Sequence, residues 1–277
     1  MEKVTNWLAL WEELSDLQNR SWGYSKKKTE GKDAWKDRAR HFNDMVKKRW
    51  AKPDSSREFI VETLQRTPGA TVIDIGAGTG AWSVLMAPHA TGVTALEPSA
   101  AMQEVLTENL ASFNIDNVTI QGGEWPNTEV EPHDFVFASH SMYGCRDFKA
   151  FVEKMVTVSR KRCILLLRAP LPDSIMADAA RYALGQPYDS PNFQIAFNAL
   201  LQMGLFPNVL MESEVWDPWT SPSLAEALGE IKRRLGLTED SRHDDYFMGL
   251  LREKVTEENG RVVWPKETRS AMVYWDV

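Results

Sequence analysis

Apolar residues recur at helical spacing through 4–18, where Trp7, Leu10, Trp11, Leu14 and Leu17 predict an amphipathic helix. A turn-like stretch, Ser21-Trp-Gly-Tyr-Ser25, and a basic run separate it from a second helical pattern carrying Trp35, Ala39, Phe42 and Val46. Pro53-Asp-Ser55 ends that pattern. Ser55 with Glu58 predicts a capping box for a third helix through Phe59, Ile60 and Leu64, which Thr67-Pro-Gly69 stops. From Thr71 the period changes. Short apolar runs at 71–75, 91–96, 118–121, 135–138 and 163–167 alternate with helical patterns, one capped by Ser99 (Met102, Val105, Leu106, Leu110) and one opened by Asp147 (Phe148, Phe151, Val152, Met155). Short, continuously apolar strands alternating with helices imply a parallel sheet covered on both faces. After the fifth strand, Pro170, Pro172, Pro187 and Pro191 punctuate a stretch read as an irregular insert. Ser190-Pro191 and Ser221-Pro222 then predict two helix starts, with a strand at 208–215 between them, a further helix at 244–255 and a last strand at 270–275. The expected division is a helical N-terminal extension (1–66), an α/β core (67–169) and a C-terminal part (170–277) that adds helices and the last two strands.

Composition narrows the class. The chain has 277 residues, 43% hydrophobic and 26% charged, ordinary for a soluble globular protein, and a net charge of −7 that argues against a nucleic-acid binder. Cys145 and Cys163 form neither a disulfide framework nor a metal-ligand spacing, so no metal is expected. No apolar run approaches the roughly 20 residues of a membrane helix, and the acidic N-terminal pattern is not that of a signal peptide. The expectation is a cytoplasmic protein. Eleven tryptophans stand out; tryptophan suits both core packing and flat ligand surfaces.

The candidate chemistry gathers at the ends of the predicted strands. Val72-Ile-Asp-Ile-Gly-Ala-Gly-Thr-Gly80 joins a strand to a helix through three glycines, a layout that lets the main chain approach a ligand. Glu97 ends the second strand, Glu124 follows the third, and Ser139-His-Ser-Met-Tyr143 follows the fourth. In an open α/β sheet ligands bind at the carboxyl ends of the strands, where all of these fall.

On these residues the chain resembles the class I S-adenosylmethionine-dependent methyltransferases. Val72–Gly80 is similar to that family's first motif, Glu97 and Glu124 to its acids after strands two and three, and Asp134-Phe-Val-Phe-Ala-Ser-His140 to its strand-four segment; residues 35–168 carry the likeness. Trp35-Lys-Asp-Arg-Ala39 is similar to an entry helix of small-molecule members. The resemblance implies a seven-stranded, mostly parallel, doubly wound sheet with an antiparallel final strand, a helical N-terminal extension and a helical insert and C-terminal lobe.

It also implies roles. Gly76, Ala77 and Gly78 would meet the methionine end of S-adenosylmethionine, and Asp74 would hold its ammonium group. Glu97, followed by Pro98, would accept both ribose hydroxyls. Glu124 and the Trp125 main chain would meet adenine, and Met102 would pack on it. Ser139 and His140 would lie beside the sulfonium, with His140 the candidate general base, its ordinary pKa near ~6.5 suiting that task. Trp22, Tyr24, Trp35 and Tyr143 are candidates for covering the substrate, with the N-terminal helices and the 170–190 insert as a lid. The expected acceptor is a small molecule and the product S-adenosylhomocysteine. Arg38, Arg168 and Arg181 could each meet an anionic substrate.

Three rival readings stay open. A nicotinamide oxidoreductase also places glycines after a strand. A methyltransferase acting on RNA or protein is a second rival; Ser139-His-Ser-Met stands where amide-directed enzymes carry an (Asn/Asp)-Pro-Pro-(Tyr/Phe) motif. The third is a non-catalytic protein that kept the cofactor fold.

Overall fold

The computed structural model describes residues 5–21 and 33–277. Helices α1 (Trp7–Ser21), α2 (Ala39–Trp50) and α3 (Ser55–Gln65) precede the first strand. The N-cap of α3 is Asp54, whose side chain accepts from the Arg57 N–H at 3.1 Å. Ser55, expected as the cap, instead sits in the first turn, and both it and Ser56 bond the Glu212 carboxylate. A long-range acceptor for two N–H groups of that turn displaced the local box.

Strands β1 (Thr71–Ile75), β2 (Gly92–Glu97), β3 (Val118–Gly122), β4 (His133–Ser139) and β5 (Ser159–Pro170) alternate with helices α4 (Ala81–Met86), α5 (Ala100–Ser112) and α6 (Phe148–Val158). Then follow α7 (Ile175–Leu184), α8 (Phe193–Gln202), β6 (Asn208–Val215), β7 (Thr220–Ser221), α9 (Leu224–Arg234), α10 (Asp244–Lys254), β8 (Thr256–Glu258), β9 (Arg261–Val263) and β10 (Thr268–Asp276). Seven strands form one sheet in the order β3-β2-β1-β4-β5-β10-β6. The ladders from β3 through β5 are parallel, and β10 runs antiparallel to both of its neighbours. The order reverses between β1 and β4, which opens a crevice at their carboxyl ends.

The period of two explains why these strands are apolar throughout. Along β4 and β5, Phe135, Phe137, Ile164 and Leu166 enter the cluster beneath α3 and α4. Val136, Ala138, Cys163, Leu165 and Leu167 enter the opposite one, with α1, α6 and α8. Trp11 of α1 is fully buried there, stacked on Phe148 at 4.1 Å, and its indole N–H donates to the Cys145 carbonyl at 2.9 Å. The first helix is thus part of the core.

Beyond β5 the chain is more regular than its prolines suggest. Pro170 and Pro172 precede the Ser174 cap of α7, and Pro187 follows Gly185, the left-handed residue that ends it. They bracket a helix that the sequence reading left irregular. Asn192 rather than Ser190 caps α8, and Ser223 rather than Ser221 caps α9; Ser221 lies in β7. A small antiparallel sheet, β7-β9-β8, is built of strands too short to show a period. With α7, α9 and α10 it forms a lobe with its own core of Ile175, Ala179, Ile231, Phe247, Leu251 and Trp264. Among the described residues no helix is long and apolar enough to cross a membrane.

Candidate active site

The glycine turn is tightly self-bonded. The Gly76 and Ala77 N–H groups both donate to the Leu96 carbonyl, at 2.8 and 3.1 Å, and that of Gly80 donates to Ala77. Gly76 and Gly80 adopt positive φ and are closely covered: an added Cβ would lie 2.4 Å from Ser141 Cβ and 2.0 Å from Leu106 Cδ1 respectively. Only glycine satisfies both the backbone and the contact there. Gly78 differs. Its N–H donates to Glu97 Oε2 at 2.8 Å, and a Cβ would meet nothing closer than the Phe42 ring at 3.9 Å.

Glu97 ends β2, buried, with its other oxygen accepting from the Ser99 N–H at 2.9 Å. Each carboxylate oxygen therefore keeps a lone pair beyond its backbone bond, as a pair of hydroxyl donors would require. Burial pushes the Glu97 carboxyl up, the Ser99 and Gly78 N–H groups pull it down, and neighbouring Asp33 adds to the rise. Asp74 is sealed in β1 and accepts from Ser83 Oγ at 2.7 Å. Burial raises it to about 7, against the Ser83 bonds and with a contribution from Glu97.

The residues expected around the cofactor differ in exposure. Pro98 is exposed and Ala77 packs beside Leu106. Met102 is buried with Ala39, Val105, Trp35 and Phe42, between α2 and α5. Glu124 is an exposed residue whose carbonyl accepts from the Asn127 and Thr128 N–H groups. The Trp125 indole turns into the core and donates to the Phe151 carbonyl at 3.1 Å. Trp35 packs over α5 and is tied there by Asp33, which accepts from the Trp35 N–H, Ser99 Oγ and the Ala101 N–H. Trp22 and Tyr24 lie outside the described residues.

Past β4 the chain turns at His140, which has φ +53 and an N–H held by the Leu166 carbonyl. Its Nδ1 is 2.8 Å from the Tyr143 hydroxyl, which also accepts from the Arg168 N–H at 2.6 Å. Nε2 is buried and has no hydrogen-bond partner among the described residues. Burial, then Arg49 and Arg168, hold His140 well below its ordinary value, which favours the neutral imidazole. Ser139 stays in the ladder opposite Leu166.

Sequence reasoning missed several contributors. Ser141 covers Gly76 and donates to the Ile75 carbonyl at 2.7 Å. Asn109 Nδ2 donates to Asn43 Oδ1 and the Thr79 carbonyl, fastening α2 and α5 to the glycine turn. Buried asparagines on apolar helix faces were the available signal. Trp216 meets the His140 ring edge-on at 5.4 Å. Of the three candidate arginines, Arg38 bonds Ala34 and stacks on Trp35, Arg181 pairs with Asp178, and Arg168 alone stands at the end of β5. Arg168 also borders a cavity of about 470 Å³ between the sheet end, the α1 terminus and the C-terminal lobe.

A family model described as a methyltransferase domain matches residues 34–203. An uncharacterized Haemophilus influenzae protein is 22% identical over 234 residues, covering 82% of this chain and 83% of its own length. The YcgJ protein of Bacillus subtilis superposes with a TM-score of 0.53 at 15% identity, covering 79% of this chain and 96% of that one. A candidate methyltransferase from Bacillus halodurans C-125 gives 0.52 at 14% identity, with 79% and 97% covered. Both share this chain's fold.

Proposed function

Because the chain belongs to the methyltransferase-domain family and has the class I fold of S-adenosylmethionine-dependent enzymes, we propose that it transfers a methyl group from S-adenosylmethionine to a small-molecule acceptor. The observation that carries this reading is the meeting of Glu97 with the Gly78 N–H: an acceptor-only carboxylate with spare lone pairs, set against the open position of the glycine turn. The cofactor, when bound, supplies a methyl group already activated on a sulfonium.

Glu97 would hold the ribose hydroxyls and the Gly78 main chain would lie along the cofactor. The main chain at Glu124 and Trp125 would meet the adenine edge, with the Met102 cluster behind it. Asp74, once ionised, would hold the ammonium group. What remains for the protein is alignment and exclusion of water, and orientation alone can contribute about 7–11 kcal/mol to such a displacement. The Asp33–Ser99 tie, α2 and α1 would cover the strand ends for that purpose. His140 would stand beside the reacting group as a neutral imidazole. A net charge of −7 and the size of the cavity beside Arg168 favour a small acceptor over RNA.

The test is a calorimetric titration with S-adenosylhomocysteine and, separately, NADH. The homocysteine compound should bind and NADH should not. Glu97→Gln places an amide donor against an N–H and should weaken binding by about tenfold to a hundredfold, the worth of about 1.5–3 kcal/mol for charge-assisted hydrogen bonds. Tighter binding of NADH, or an unchanged affinity in E97Q, refutes the assignment. Binding with no methyl transfer to any acceptor in a broad panel points to a non-catalytic protein.

A further inference from the structure

Around His140 the polar groups are donors with no anion to receive them. The Arg168 guanidinium lies 4.1 Å over the Tyr143 ring and bonds only neutral acceptors, Gln18 Oε1 at 3.0 Å and the Pro191 carbonyl at 3.4 Å. Its Nε is buried without a partner, and among the described residues no carboxylate pairs with it. Arg49, on α2, is linked to His140 through Trp216, whose ring meets the imidazole edge-on, and it does not line the cavity. Its guanidinium lies 3.9 Å over Trp216 and bonds Ser270 Oγ at 3.0 Å, again without an ion pair among the described residues. The acids that act on Arg49 are Asp54 and Glu212. Asp54 caps α3, and Glu212 is held by Ser55 and Ser56. Nε2 of His140 is likewise without a partner among the described residues.

The arginine across the cavity shows what a satisfied one looks like. Arg234 is ion-paired with buried Asp189. Glu230, also on the wall, is paired with Arg233, and Glu226 stands exposed at the rim. The Arg168 end of the cavity is thus cationic and unpaired, while Trp219 and Trp264 give the cavity flat apolar walls.

Resting on the methyltransferase reading above, we propose that the methyl acceptor carries an oxyanion, a carboxylate or phosphate, seated against Arg168 in this cavity, with a flat apolar body along Trp219 and Trp264. A delocalised anion accepts from a guanidinium edge in a way that neither a neutral amide nor an ammonium can. It would supply an acceptor to a guanidinium that the fold leaves without an ion pair. Arg168 is specificity-determining here. It holds the acceptor and leaves the cofactor to Glu97.

The probes are benzoate, phenyl phosphate, benzamide and benzylamine, each titrated into protein saturated with S-adenosylhomocysteine. The two anions should bind and the neutral and cationic compounds should not; the stronger of the two anions tells carboxylate from phosphate. Arg168→Gln should weaken the anion by about tenfold or more, while affinity for S-adenosylhomocysteine stays within about twofold and reports that the fold is intact. Arg168→Lys should recover part of the loss. If Arg168→Gln fails to hold S-adenosylhomocysteine, Arg168→Lys, which keeps the charge and loses the planar fork, decides: it should weaken the anion while still holding S-adenosylhomocysteine. Benzamide or benzylamine binding as well as benzoate, no binding of either anion, or unchanged anion affinity in the folded variants overturns the proposal. If the unaltered protein does not bind S-adenosylhomocysteine at all, it is the methyltransferase reading that has failed.

Discussion

Asp74 should make stability fall across neutral pH. It is sealed in β1 with Ser83 as its hydrogen-bond donor, and burial raises its pKa from 3.8 to about 7. The sign follows from proton binding: between those values the folded chain holds a proton that the unfolded chain has lost. Protonated Asp74 thus favours the fold fully below about 3.8, and that contribution is lost as pH rises through about 7. A shift of about three units at about 1.36 kcal/mol per unit amounts to about 4 kcal/mol, a large share of the ~5–15 kcal/mol that holds a typical domain. Asp74→Asn keeps the acceptor for Ser83 and removes the titration. In urea unfolding the variant should gain about 2–3 kcal/mol on the parent between pH 5 and pH 8, the first ~1.6 kcal/mol of the loss being already complete at pH 5. Parallel stability profiles for the two proteins would refute the reasoning. A second measurement bears on function. If the ionised carboxylate holds the cofactor's ammonium, affinity for S-adenosylhomocysteine should rise with pH toward 7 in the parent and lie flat in D74N.

Two further substitutions separate packing from the site. Trp11→Ala removes a fully buried ring stacked on Phe148 and should cost about 3–5 kcal/mol in chemical denaturation; a loss below about 1 kcal/mol would mean that α1 is peripheral. Gly80→Ala combines a left-handed backbone with a Cβ 2.0 Å from Leu106 Cδ1, so a cost of about 2–5 kcal/mol is expected. Adding Leu106→Ala should return part of the G80A cost if the clash is real, and none of it if the backbone alone is responsible.

Much of the fold was written in local pattern. The central strands β1, β4 and the buried part of β5 run apolar because both faces are covered, and Ser99 and Asp147 cap their helices as their positions suggest. What local pattern could not reveal was competition from distant partners. Glu212, far along the chain, took the α3 N-terminus from the Ser55 box. The strands β7, β8 and β9 owe their existence to the lobe that they close, since two or three residues carry no period.

The site divides in the same way. Sequence alone placed Gly78, Glu97 and His140 at strand ends, because in a parallel sheet the chain order of the strands fixes which loops share an edge. Only the tertiary structure decided what each group does there. It spent the Gly76 and Ala77 N–H groups on Leu96, turned the Trp125 ring into the core and buried the His140 ring against the Tyr143 hydroxyl. It also singled out Arg168 from three similar arginines. Hydrogen-bond partners and burial set those outcomes, and both depend on contacts between residues far apart in the chain.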